Sequence, residues 1–204
     1  MDFDRAEELF NELSNIVDYP LSVTSDRTEL CFTLAITSMQ FAAAVRALCA
    51  QQLILGASAS LRSQYEALVR SVWSLHGASD LQIEKLSADL TVESQQASKN
   101  IPSVNQMLSA LEKSPQLSKL MISLKEFKSS SWLPLNSFVH SGIHAVHWTK
   151  YEVPIELTDQ IFKTSNGLVV LAFQGIGILT GRIGIQTEII AVSSCYSSCL
   201  PKPR

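Results

Sequence analysis

The stretch SLRSQYEALVRSVWSLHGASD, residues 60–80, decides how the chain is read. Leu61, Tyr65, Leu68, Val69, Val72 and Trp73 recur at spacings of three and four, the period of an α-helix with a broad apolar face. Gly77 follows His76 directly, where a glycine is well placed to close the helix with a left-handed cap because it carries no Cβ. Three charges stand on this apolar cylinder: Arg62, Glu66 and Arg70, at i, i+4 and i+8, form one ridge. An exposed ridge would be a row of ion pairs worth about 0.3–0.5 kcal/mol each. On a buried helix the same groups must be paired or hydrogen-bonded, and they become a fixed guanidinium–carboxylate site.

Working outward, residues 4–17 place Ala6, Leu9, Phe10, Leu13, Ile16 and Val17 on one helical face, and Tyr19-Pro20 ends that helix. Asp26-x-x-Glu29 reads as a capping box opening a helix that runs to about residue 55 without an internal proline or glycine. The segment around Arg62 forms a third helix over 59–75, and a more polar fourth follows over 80–99. Patterns at 102–113 and 115–128, each led by a proline, read as a helical hairpin. Ser129-Ser130-Ser131 breaks the pattern, and 132–147 reads as a short helix then a loop, with Gly142 at the junction. A last helix carries the apolar run from Thr158 to about Ser193, and the Cys/Ser/Pro-rich tail over 195–204 is expected to be disordered. With no alternating β-branched run and no internal repeat, the expectation is one all-α domain over 1–194, a helical bundle with a few short peripheral helices.

A chain of 204 residues with 46% apolar and 17% charged residues can bury a core without metals or disulfides. Its net charge of −3 gives no broad attraction to nucleic-acid backbones, so any such contact needs a local site. The four cysteines match neither a zinc ribbon nor a C-x-x-C redox pair. Met1-Asp2-Phe3-Asp4 is acidic and unlike a secretory signal, so the cytoplasm is the expected compartment. GLVVLAFQGIGILT, 167–180, is shorter than the roughly 18–20 residues of a membrane span and is interrupted by Gln174; a core helix is expected, with no membrane partner.

A second polar segment, 133–148, carries Asn136, His140 and His144 at i, i+4 and i+8, with His147 close to the same face. Imidazoles in such a row could hold a divalent ion. The glutamate of a helical zinc motif is missing, however, and Gly142 interrupts the register, so no metal or other cofactor is expected. An acid–base histidine or a packed one remains. Gly175-x-Gly177 with Gly181 and Gly184 follows no strand; close helix–helix approach is the reading there, not a dinucleotide loop.

Residues 60–80 and LNSFVHSGIHAV, 135–146, resemble an uncharacterised bacterial family of similar length and, more distantly, the HEPN superfamily. That resemblance implies a small helical bundle, commonly dimeric, from toxin–antitoxin, abortive-infection or antiviral systems. Active members are metal-independent ribonucleases with an Arg-x4–6-His motif. Arg70-Ser-Val-Trp-Ser-Leu-His76 meets the spacing, though Ser71 stands where Asn, Asp or His is more usual and the motif falls in the third helix, not late in the chain. The partners implied are RNA, a second copy of the chain, and an antitoxin or defence-system protein. Two residue sets could carry the chemistry: Arg70 with His76, or Arg62 and Glu66 with Asn136 and His140 if the fold joins the two segments. Two alternatives stand beside the ribonuclease. One is a non-catalytic, homodimeric interaction module whose Arg/Glu/His network is structural; the other is a metal-dependent hydrolase using His140, His144 and His147.

Overall fold

A computed structural model describes residues 1–97 and 100–202. Helix α1 (Phe3–Val17) starts where the Asp2 carboxylate accepts from the Arg5 amide at 3.2 Å. Helix α2 (Asp26–Ala50) is capped by Ser25, whose hydroxyl accepts from the Thr28 amide while Thr28 Oγ1 accepts from Ser25 N. The capping box is therefore built one residue before the expected Asp26/Glu29 pair. Helix α3 (Ile54–His76) follows after a break at 51–53, where Gln52 adopts φ +59° with neither proline nor glycine to mark the turn. The expected fourth helix is two short ones, α4 (Asp80–Ser87) and α5 (Val92–Ala97); its end at 98–99 lies outside the described residues.

After α6 (Val104–Leu111) and a 3-10 turn at Pro115–Leu117 comes α7 (Ser118–Val139), which corrects the reading of 129–147. The serine run does not break it, because Ser129 and Ser130 return their hydroxyls to the Glu126 carbonyl at 2.9 Å, and Pro134 is accommodated inside the helix. The break comes at His140–Gly142, with Ser141 at φ +53°, and α8 (Ile143–Lys150) folds back on α7. The final apolar run is likewise two helices, α9 (Ile155–Leu179) and α10 (Ile185–Ser194), separated by a turn with Gly181 and Gly184 at φ +67° and +84°. At Gly177 the two approach so closely that a Cβ would sit 3.2 Å from Ile189 Cδ1. The expectation of a disordered tail is corrected over 195–202. Tyr196 and Cys199 are buried, Asn166 Nδ2 donates to the Cys199 carbonyl at 2.9 Å, and Tyr196 donates to Glu12 at 2.7 Å. Residues 203–204 lie outside the described residues.

The chain is all-α, and none of the described residues lies in a strand. At its centre α2 and α3 form an antiparallel hairpin, shown by Cys31 meeting Ser71 and Ser38 meeting Gln64, and α9 packs against both. Helices α6 and α7 cover α3, α1 and α10 cover α9, α4 lies on α2, and α8 on α7. Leu13, Val45, Leu68, Trp73, Leu124, Phe162 and Ile189 are buried together, each contributing about 1.5–3 kcal/mol of apolar transfer. Helices α2 and α9 are long and apolar enough to cross a membrane by length and composition; here they pack against each other.

The interior of the α3 junction is not purely apolar. Gln64 is fully buried; its Nε2 donates to the Ser165 carbonyl at 2.9 Å and its Oε1 accepts from the Ser165 hydroxyl at 2.6 Å, tying α3 to α9. Ser38 donates to the Gln64 carbonyl at 3.0 Å, Ser71 to the Cys31 carbonyl at 2.7 Å, and Tyr65 to the Leu124 carbonyl at 2.8 Å. Replacing one partner strands the other in a dry site. Gln64→Leu is therefore expected to cost about 1–3 kcal/mol in urea denaturation, and Ser165→Ala added to it to cost much less than Ser165→Ala alone.

Candidate functional site between α3 and α7

Helices α3 and α7 meet through Tyr65, whose hydroxyl bonds to the Leu124 carbonyl, and through Arg62, one turn earlier, which reaches His140 at the far end of α7. An aromatic stack fixes the seam: the Tyr65 ring lies on Phe127 (centroids 4.2 Å, interplanar angle 19°) and meets Trp132 edge-on at 6.0 Å. Burial pushes the Tyr65 phenol well above its ordinary range, so it stays a hydrogen-bond donor. Beside this stack, Arg62 Nε donates to Glu66 Oε1 at 3.0 Å, the guanidinium carbon lies 5.0 Å over the Trp132 ring, and Arg62 Nη1 is 3.4 Å from His140 Nε2. The two polar segments of the sequence thus meet, and Arg62, Glu66 and His140 converge.

The surroundings are neither core nor open water. The Arg62 and Glu66 side chains are 20% and 28% exposed, while His140 is exposed. The ion pair itself adds only about half a kcal/mol. What it does is orient: Glu66 holds one edge of the guanidinium, Trp132 covers its face, and a remaining N–H points at the imidazole. Arginine has no acceptor, so that contact requires Nε2 to be unprotonated, with the ring proton on Nδ1. At 3.4 Å it is loose enough for a substrate oxygen to take its place. Asn136 lies one turn before His140 on α7, and its Oδ1 is buried without a hydrogen-bond partner among the described residues.

Arg70 and His76 are arranged differently. Both lie on α3, six residues apart, so their side chains leave the helix about 120° from one another. The structure records no contact between them. Arg70 Nε is buried without a hydrogen-bond partner among the described residues, and His76 closes the helix, where burial lowers its imidazole below the ordinary value. The remaining histidines do not assemble either. The backbone amide of His144 is held by Ser137 Oγ at 3.0 Å, its Nδ1 is buried, and its ring packs near Phe138; His147 packs against Trp148 and Tyr151. Among the described residues no group of three or more His, Cys, Asp or Glu is placed to hold a metal ion.

Trp132 is the site residue that the sequence reading passed over. It belongs to the register 128, 132, 136, 140, which becomes visible only once α7 is carried through the serines and Pro134. Its other surroundings form one wall of an open groove of about 550 Å³ between α6 and α7, lined also by Asn105, Glu112, Lys125 and Lys128. Lys125 pairs with Glu112, and Lys128 bonds to Asn105.

A family model described as a family of unknown function (DUF6988) matches residues 35–202. No curated protein and no solved structure matches the chain.

His76 gives a pH dependence. A half-buried imidazole with a lowered value binds its proton less readily folded than unfolded, so its share of stability is complete above the ordinary value of about 6.5 and is lost as pH falls through the folded-state value. Thermal melts between pH 7.5 and 5 should fall with acidification, and His76→Asn should flatten that decline.

Proposed function

The chain belongs to the DUF6988 family, and because that family is one of unknown function we propose an activity from the site itself: metal-independent cleavage of RNA by an arginine–histidine pair. The observation that supports this reading is the exposed imidazole of His140, 3.4 Å from a guanidinium already oriented by Glu66 and Trp132. His140 Nε2 takes the proton of a ribose 2′-hydroxyl. The 2′-oxygen then forms a bond to phosphorus while the bond to the 5′-oxygen breaks, and the imidazolium returns the proton to that leaving oxygen. The guanidinium donates to the non-bridging oxygens, whose charge grows in the transition state. Products are a 2′,3′-cyclic phosphate and a 5′-hydroxyl end. The groove beside Trp132 offers a strand an aromatic wall and the Lys128 ammonium, while Lys125 there is already paired with Glu112.

In this proposal the protein is a HEPN-like component of a bacterial defence or toxin–antitoxin system, acting in the cytoplasm, with an antitoxin as its natural partner. The pair that carries the chemistry is Arg62 with His140, not Arg70 with His76, because only the first is in contact. Incubation of the purified protein with single-stranded RNA in EDTA should yield cyclic-phosphate ends. His140→Ala should slow cleavage by about 10²–10⁴-fold, and Arg70→Ala/His76→Ala should leave it largely intact. No cleavage by the wild-type protein sinks the proposal.

A second reading has its own observation. Helix α8 buries only Ala145 and exposes Ile143 (77%) and Val146 (61%), beside the half-exposed Tyr151, an apolar face suited to a homodimeric interaction module. In that case Glu66→Gln and Ile143→Glu change melting temperature or sedimentation while no RNA is turned over.

A further inference from the structure

A second groove, of about 460 Å³, lies between α1 and the C-terminal part of α2, two helices that both rest on α9 and meet each other only loosely. That volume suits one small molecule. Its aromatic walls are rigid, because each ring is held edge-on from behind by a phenylalanine of α9: Phe3 by Phe162 at 4.8 Å and Phe10 by Phe173 at 5.2 Å. Its floor is flat and apolar, since Ala47 and Ala50 continue an exposed alanine stripe that starts at Ala43.

Arg46 stands in this setting without an anion. Its guanidinium lies 5.4 Å over the Phe10 ring, and among the described residues it makes no hydrogen bond and no ion pair. Burial works against its charge, and Glu7 compensates only from beyond pairing distance. Two parallel N–H groups of a guanidinium are the natural seat of a carboxylate. Glu7, exposed on the same groove, offers an acceptor to a cation and repels a second negative charge.

We propose that this groove binds a free amino acid with a large apolar side chain: its carboxylate on Arg46, its ammonium on Glu7, its side chain over Ala47 and Ala50 against Phe3. A phosphate ester or dicarboxylate would face Glu7, and the C-terminus of a peptide would bring the carboxylate without the neighbouring ammonium. The site shares no residue with the Arg62–His140 pair, so it stands whether or not RNA is cleaved.

Calorimetric titration of the full chain with L-phenylalanine and L-leucine tests it. Saturable one-to-one binding is expected, with hydrocinnamate, lacking the ammonium, and phenethylamine, lacking the carboxylate, each weaker by about tenfold or more. Arg46→Gln should weaken L-phenylalanine by about tenfold to a hundredfold, with Arg46→Lys between it and wild type. Ala47→Leu should fill the floor and remove binding at an unchanged melting temperature. No saturable binding of either amino acid to the wild-type protein, hydrocinnamate binding as tightly as L-phenylalanine, or full binding by Ala47→Leu would each overturn the assignment.

Discussion

Helix α3 is covered by α2, α6, α7 and α9, and this crowding governs the rest of the molecule. A buried polar group on a helix packed on so many sides is costly to leave unpaired, and Gln64, Tyr65 and Ser71 each bond a different neighbour. Those bonds fix where α9, α7 and α2 lie. Arg62, Ser63, Glu66 and Arg70 occupy the strip that is only partly covered, and the charged ridge survives because α7 reaches it with Trp132 and His140 instead of sealing it with aliphatic side chains.

The proposed function treats the Arg62–His140 arrangement as a catalytic device and not as a structural tie. A structural tie in a half-dry seam is stabilising when every donor is engaged, whereas here the contact to the imidazole is long, the imidazole is exposed, and Asn136 Oδ1, one turn before it, has no hydrogen-bond partner among the described residues. The ordering of the guanidinium is supplied by folding, through Glu66 and the Trp132 face, so little remains to be ordered when an anion arrives.

Much of this was legible in residues 60–80. The helical period and the ridge at i, i+4 and i+8 follow from spacing, and α3 carries both; Gly77 does close the helix, but at φ −135° and not in the left-handed conformation expected of it. What was not legible shares a single cause, the local ambiguity of small polar residues. Ser129–Ser131 and Pro134 read as breakers because nothing local shows that the serine hydroxyls return to Glu126 or that tertiary packing tolerates the proline. With α7 cut short, Trp132 lost its register with His140. The reverse error occurred at 51–53, where a helix ends on glutamines with no punctuating residue, and at the tail, where Asn166 and Glu12 supply hydrogen bonds that composition cannot foresee. The choice between the two candidate pairs was also out of reach, since adjacency of Arg62 and His140 is a tertiary fact, while the Arg70–His76 spacing is written in one helix whose geometry separates them.

The distance along the chain between the contacting groups has a further bearing. Arg62 and His140 are 78 residues apart and Gln64 and Ser165 are 101 apart, whereas the α2–α3 hairpin closes across a turn of three residues, 51–53. Loop-closure entropy favours the hairpin as the earlier contact and the seam as the later one. A nascent chain synthesised only through α3 therefore carries the ridge but lacks His140, and holds no Arg62–His140 pair. Any chemistry this pair performs is switched on by completion of the fold, so in a cell it would be silent until the polypeptide is synthesised through α7 and docked.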